Sequence, residues 1–430
     1  MEINHSFTKL TISGWRQFKA VEFDFHSRLT IVTGANGAGK STILKILKSH
    51  FAHEKDETFL ATPVIEKEHT RFSLGGWFAT PAKPAAEGRK IGRIEYSSGQ
   101  ICNIRLPDSG KMEYALERDM GVVVSGISIG SHRANPRYEQ LKSMPIAGLR
   151  PAEAYADFFE VQRTFNERKP YFKDGNSRQV NPVAAIKEAL ISFATFGVGN
   201  RHVTPVAELV GLFDRFQDIL KTVLPAEVGF RQLEIRTPEV VVATSSGDFP
   251  IDGASGGLMS IIQLSWEIFL QAEINKMEHF VVLIDEPENH LHPSLQRTFL
   301  SNLLEAFPAA QFIVATHSPF VISSVKDSAV YALRHHVSDG SVFTQLAPRS
   351  VVSHKLDYVQ KAGPASDILR EVLGVPVTMP DWSAAELERI AAEFTSQTIS
   401  SNSLGLLRAK LEAAGLSEFF PQAVARMKND

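Results

Sequence analysis

An α/β fold is predicted, and three observations carry the prediction. A glycine-rich segment, GANGAGKST at Gly34–Thr42, lies between a short apolar run and a helix-like stretch. Two later apolar runs, Phe280–Ile284 and Phe312–Ala315, each end in polar residues, Asp285-Glu286 and Thr316-His317-Ser318. Helical periodicity fills much of the remaining chain. Buried strands alternating with helices describe a sheet covered by helices. The expected architecture is a mixed sheet with the glycine-rich turn at strand ends, an antiparallel subdomain, a helical insertion and a helical tail.

FTKLTISGW alternates apolar and polar side chains, and SRLTIVTG is a short buried strand ending in glycine, so residues 7–33 read as two strands joined by a turn. A helix is expected from Ser41 to about Ser49. Between 56 and 124, pieces such as RIEYSS and ICNIRL are broken by Gly, Pro and Ser and read as flanking antiparallel strands. MGVVVSG closes that stretch as another buried strand. From His132 to about Pro225 the pattern is mainly helical, in EAYADFFEVQRTF, AAIKEALISFATF and VAELVGLFDRFQDILKTVL. FRQLEIR and EVVVATSSG return to strand character, and residues 250–334 alternate turn, helix and buried strand. The expected divisions are 1–131 and 226–345 for two parts of one head, 132–225 for the insertion, and 346–430 for the tail.

Composition narrows the function classes. With 430 residues, 43% of them hydrophobic and 22% charged, the chain can bury a large core. A net charge of -3 gives no bulk basicity toward nucleic acid or anionic membrane. A single cysteine, Cys102, excludes an internal disulfide framework and a Cys-rich zinc site, and it reads as a strand-core residue. No apolar run approaches the ~20 residues of a membrane span, and no signal region opens the sequence, so a soluble cytoplasmic protein is expected. Between 133 and 201 the insertion carries Arg133, Arg137, Lys142, Arg150, Arg163, Arg168, Lys169, Lys173, Arg178, Lys187 and Arg201 against seven carboxylates. A solvated helical face explains this local excess of four; a nucleic-acid surface is the alternative, which requires clustering in space. Trp15 could stack a base, but core packing or a turn explains it more simply.

Gly34–Thr42 fits the phosphate-loop pattern GxxxxGK[ST], placed after a buried strand and opening a helix. Glycines 34, 37 and 39 let the backbone curl so that amides from Asn36 through Thr42 face an anion, with the helix dipole adding to them. Lys40 is expected to reach the β- and γ-phosphates of ATP, and Ser41 to bind Mg²⁺. Asp285, delivered by a buried strand, is the second Mg²⁺ ligand, and Glu286 is placed to orient the attacking water. His317, at the end of the Phe312–Ala315 run, can bond the γ-phosphate or that water, a reading preferred here to the core histidine that a lone His usually is. Ser255, Gly256 and Gly257 precede a helix and suit an anion, though a helix cap would explain them locally as well.

Together these elements resemble the ABC-type ATPases of the SMC and RecF branch. GANGAGKS matches the Walker A motif, VVLIDE the Walker B motif with its following glutamate, ASGGL the signature motif, and His317 the switch histidine. DEPENHLHP with ATHSP is similar to the OLD-family and related prokaryotic ATPases, many of them in anti-phage defence, including those of the PtuA-like kind. The likeness covers roughly residues 7–50 and 250–325. Ala254 and Leu258 replace the usual leucine and glutamine of the signature, no glutamine-loop residue can be placed, and no TOPRIM or HNH nuclease pattern follows Ser324.

The resemblance implies a composite site, with Gly34–Thr42, Asp285, Glu286 and His317 of one subunit facing Ser255–Gly257 of another. ATP would join two heads into a homodimer or larger assembly, and hydrolysis would release them. It further implies a separately encoded effector, a nuclease by preference, docked on the helical tail, with DNA a possible second partner and no membrane role. A RecF-like DNA-repair ATPase is the alternative, and a nucleotide-gated scaffold with negligible turnover is a third reading that Glu286 argues against. The ENHLHP turn at 288–293 belongs at the interface; His290 and His292 have no evident third partner for a metal.

Overall fold

The computed structural model describes residues 5–51, 57–66, 69–74, 88–107, 111–133, 138–141, 147–167, 171–173, 176–178, 181–337, 349–374, 380–394 and 401–425. They form two compact units, 1–363 and 364–430. The first unit is built on one mixed sheet that runs, strand by strand, Glu117–Arg118, Ile101–Arg105, Lys90–Tyr96, Phe7–Trp15, Phe18–Asp24, Arg349–Lys355, Ala329–Val337, Leu29–Gly34, Ala310–Ala315, Phe280–Asp285 and Gly126–Ile129. The last five are parallel, so all five carboxyl ends meet at one edge. The amino-terminal half is largely antiparallel. The mixed α/β fold expected from the motifs is the one observed.

The parallel strands are contiguous apolar runs because both of their faces are covered. Leu29–Gly34 and Ala310–Ala315 are buried along their whole length. On one face lies the Lys40–Lys48 helix, whose Ile43, Leu44, Ile46 and Leu47 are buried. The Gly256–Ile274 helix meets the Gly126–Ile129 strand and is itself covered by the insertion helices Pro151–Glu167 and Leu212–Val223. It is buried on nearly every side, from Met259 to Ala272, as its all-round apolar sequence requires. Trp266 sits edge-on to Phe216 at 4.9 Å, which ties that helix to the insertion.

Several sequence expectations need correction. Residues 7–34 form three strands, because FKAVEFD alternates buried and exposed side chains between the two foreseen. The strand assigned to MGVVVSG starts only at Gly126. Before it, Val123 is exposed and Val124 makes only an isolated bridge to Phe51. VAELVGLFDRFQDILKTVL is broken at Gly211, whose φ of 75° ends one turn before the Leu212–Val223 helix begins. FRQLEIR and EVVVATSSG pair in a separate small sheet with Phe249–Pro250. The tail drawn from 346 begins instead with Arg349–Lys355, a strand of the main sheet pairing with Ala329–Val337, so the helical unit starts at 364. That unit closes on its own core of Leu387, Ile390, Leu407, Leu411, Leu416 and Ala423.

The insertion's basic residues are not one solvated face. Arg133 and Lys187 are buried, and Arg150 pairs with Glu208 while Arg163 pairs with Glu160. Arg137, Lys142, Arg168 and Lys169, and the side chains of Lys173 and Arg178, lie outside the described residues. Trp15 is fully buried, donating from its indole to the Tyr114 hydroxyl at 3.0 Å, and Cys102 is buried in the Ile101–Arg105 strand. No helix among the described residues is long and apolar enough to cross a membrane.

Candidate functional site

The site forms where the parallel strands end. Leu29–Gly34 runs straight into the phosphate loop, which turns through positive φ at Gly34, Gly37 and Gly39. Gly39 is obligatory on two counts: its φ is 101°, and a Cβ there would stand 2.5 Å from both the Gln17 amide and the Phe18 ring. Asn36 and Gly37 are exposed, Ala38 is fully buried under the loop, and Lys40, Ser41 and Thr42 open the helix. That places the loop's amides at a helix amino terminus, the arrangement an anion requires.

Lys40 is 6% exposed and its ammonium donates to the carbonyls of Gly34 at 3.0 Å and Ala35 at 3.3 Å. Burial lowers its pKa to about 8, against the opposing pull of Asp285, Glu286 and Glu288. Ser41 Oγ donates to Asp285 Oδ2 at 2.7 Å, so the two residues predicted to share a metal stand together. Burial raises the Asp285 carboxyl, with Ser41 opposing. The Ser41 hydroxyl and the Asp285 carboxylate together present oxygen donors beside the loop, the donor type that suits Mg²⁺.

Glu286 takes up a left-handed conformation, φ 51°, at the end of the Phe280–Asp285 strand, with its amide bonded to Ala315 O at 2.8 Å. Such backbone is uncommon for a side chain with a Cβ and clusters at functional sites. The turn aims the carboxylate toward the neighbouring strand end, where Glu286 Oε1 lies 3.7 Å from His317 Nε2. His317 Nδ1 stands 3.4 Å from Lys40 Nζ. Burial and Lys40 lower the His317 pKa, while the three carboxylates oppose. Lys40, Ser41, Asp285, Glu286 and His317, spread over 277 positions, are thus joined by direct contacts.

Ser255, Gly256 and Gly257 lie elsewhere. Ser255 caps the Gly256–Ile274 helix, accepting from Leu258 N at 3.5 Å, and no hydrogen bond among the described residues joins it to the phosphate loop. Gly257 packs against the His290 carbonyl, which a Cβ would meet at 3.0 Å. His292 caps a short helix and bonds Ser294, and no group of three metal-ligating side chains exists among the described residues.

Sequence reasoning missed the residues that hold this arrangement. Glu288 Oε1 accepts from Thr316 Oγ1 at 2.7 Å and from the His317 amide at 2.9 Å, fixing the His317 backbone. Asn289 donates to Glu286 Oε2 at 3.1 Å and to Ser131 O at 3.1 Å. A cavity of about 330 Å³ opens beside them, lined by Glu286, Glu288, Asn289, Gln296, His317 and Ser318 among others. Their sequence signal was the polar run DEPEN directly after a buried strand.

The family described as "AAA domain, putative AbiEii toxin, Type IV TA system" matches residues 143–323, and one described as "AAA domain" matches residues 9–72. The "Septu protein PtuA" of Bacillus mycoides is 23% identical over 79% of this chain and 42% of its own length. The "Retron Vc95 probable ATPase" of Vibrio cholerae is 34% identical over 22% of this chain and 20% of its own length. The chain is thus similar to Septu PtuA and to the retron ATPases. The match spans less than half the length of each of these relatives. Among solved structures, the "SMC head domain from Thermotoga maritima" aligns over 82% of this chain and 99% of its own, at 13% identity and a TM-score of 0.42. The resemblance to prokaryotic defence ATPases drawn from the motifs is supported by these partial matches.

Proposed function

We propose that the protein binds ATP with Mg²⁺, dimerises around it and hydrolyses it, and that this cycle regulates a separately encoded effector, a nuclease by preference, in a prokaryotic anti-phage defence complex. The observation that carries the hydrolytic part is the convergence of Lys40, Ser41, Asp285, Glu286 and His317 at one sheet edge. The defence context is supported by the Septu and retron relatives.

In this reading the loop from Asn36 to Thr42 binds the phosphates through backbone amides, and Lys40 exchanges carbonyl partners for phosphate oxygens. Ser41 and Asp285 would hold Mg²⁺, whose charge offsets that of the β- and γ-phosphates. Glu286 orients water for in-line attack from the cavity side, and Asn289 keeps one carboxylate oxygen engaged so that the other faces the reacting region. His317 bonds the γ-phosphate or the attacking water. Ser255–Gly257 would complete the site from a second copy, which is consistent with their lack of a bond to the loop of their own chain.

Phosphate release by the full chain tests hydrolysis, with Glu286→Gln as the control that retains nucleotide and loses turnover. Purification from the native operon tests the effector; a chain recovered alone, with no protection against phage, would defeat that part. A RecF-like role is the alternative, and it requires turnover stimulated by duplex, single strands or ends.

A further inference from the structure

Arg133 is an arginine where the fold has little room for a charge. It follows the Gly126–Ile129 strand into the insertion and is 7% exposed. Its Nη1 donates to Ser260 Oγ at 3.2 Å and Asn289 O at 3.5 Å, and its Nη2 donates to Glu286 O at 3.3 Å. Ser260 belongs to the second turn of the signature helix and itself donates to Asn289 O at 3.4 Å. One guanidinium therefore joins three pieces of chain: the strand end before the insertion, the signature helix, and the turn carrying Glu286.

We propose that Arg133 is a positioning residue for Glu286, holding the turn that aims its carboxylate and registering that turn against the signature helix. Two features make the Glu286 turn dependent on such a partner. Its left-handed backbone must be held by its surroundings, and Arg133 binds the carbonyl of that same residue. Asn289 grips the carboxylate, and both Arg133 and Ser260 bind the Asn289 carbonyl. A movement of the signature helix, as when a second copy engages Ser255–Gly257, is thus passed to the Glu286 carboxylate through a rigid planar fork. Lysine cannot replace it, because a single ammonium does not span Ser260 and Glu286 in one plane. Burial lowers the Arg133 pKa, and the buried Glu267 on the same helix as Ser260 is the first of the carboxyl groups that oppose it.

The proposal rests on the hydrolytic reading above, and one experiment separates the two. Phosphate release against ATP concentration, ADP affinity by calorimetry and melting temperature are measured for the full-length wild type, Glu286→Gln, Arg133→Lys and Ser260→Ala. Arg133→Lys is expected to lower kcat on the order of 10–100-fold, as a small misplacement of a reacting group does, with ADP affinity kept within about twofold. Ser260→Ala, which removes only a hydroxyl, is expected to lower kcat several-fold in the same pattern. If either variant kept wild-type kcat, or lost ADP affinity in parallel with kcat as a merely structural residue would, the positioning role would be overturned. Should Arg133→Lys fail to fold, Ser260→Ala decides alone. A wild type without turnover would instead remove the hydrolytic reading, and the proposal with it.

Discussion

Replacing Lys187 by methionine keeps the length of the side chain and removes its ammonium. That ammonium has no exposed surface and is held by Asp252 Oδ2 at 2.6 Å, Glu239 Oε2 at 2.7 Å and Glu139 O at 2.8 Å. Burial lowers the Lys187 pKa, but the bonds to Asp252 and Glu239 outweigh it and leave the value raised, so the charge is present in the folded protein. The methionine would leave Asp252, whose side chain is 1% exposed, as an unpaired buried carboxylate. Breaking one side of such a pair costs about 3–5 kcal/mol. Glu239 retains 16% exposure and can recover water, so the lower end applies. About 3 kcal/mol at ~2 °C per kcal/mol for a unit this large lowers the melting temperature by about 6 °C. Calorimetric melts of wild type, Lys187→Met, Asp252→Leu and the double variant measure both the loss and the coupling, expected at about 1 kcal/mol or more. A Lys187→Met melt within about 1 °C of wild type would refute the reasoning. Because Asp252 lies three residues before Ser255, the same pair also anchors the signature turn to the insertion helix Pro182–Ser192.

Further outcomes follow from the same geometry. Burial raises the Glu267 carboxyl from 4.5 to about 7, so the folded state holds its proton longer and this residue's contribution to stability falls as pH rises between those values. Glu267→Gln should therefore match wild type near about pH 4 and exceed it by about 3 kcal/mol near about pH 8, as denaturant melts would read; a pH-independent difference would contradict this. Glu288→Gln keeps an oxygen able to accept from Thr316 and the His317 amide and should retain turnover, while Glu288→Ala should lose on the order of 10-fold in kcat; equal behaviour of the two would contradict the bonding described. Gly39→Ala combines a positive φ with a clash against the buried Phe18, and calorimetry should find ADP bound on the order of 100-fold more weakly; unchanged affinity would show that the loop tolerates the strain.

Three of the five parallel strands were legible because strands covered on both faces must be apolar runs, and the polar residues at their ends stand out against them. LTIVTG, FVVLID and AQFIVA needed no other signal. The Arg349–Lys355 strand was not legible, since RSVVSHK mixes polar and apolar residues and gains its place only by pairing with a partner strand. MGVVVSG misleads for the opposite reason: it is an apolar run without the partner of a full-length strand, and ladder pairing begins only at Gly126, opposite Val281. Within the site, residues that belong to a motif could be named from spacing. Arg133 could not, because its partners Ser260, Glu286 and Asn289 lie more than a hundred positions away and only the fold brings them within reach. Lys187 looked like one of eleven surface charges until the structure buried it against Asp252 and Glu239.

In the proposed cycle ATP joins two copies through a site to which each contributes. Light scattering after gel filtration of Glu286→Gln, with and without Mg-ATP beside the wild type, measures this. The variant should keep the Ser41–Asp285 pair and the phosphate loop while stalling hydrolysis. Its solution mass is predicted to at least double only when Mg-ATP is present. A mass that stays monomeric in both conditions, or a large assembly indifferent to ATP, would contradict the composite site.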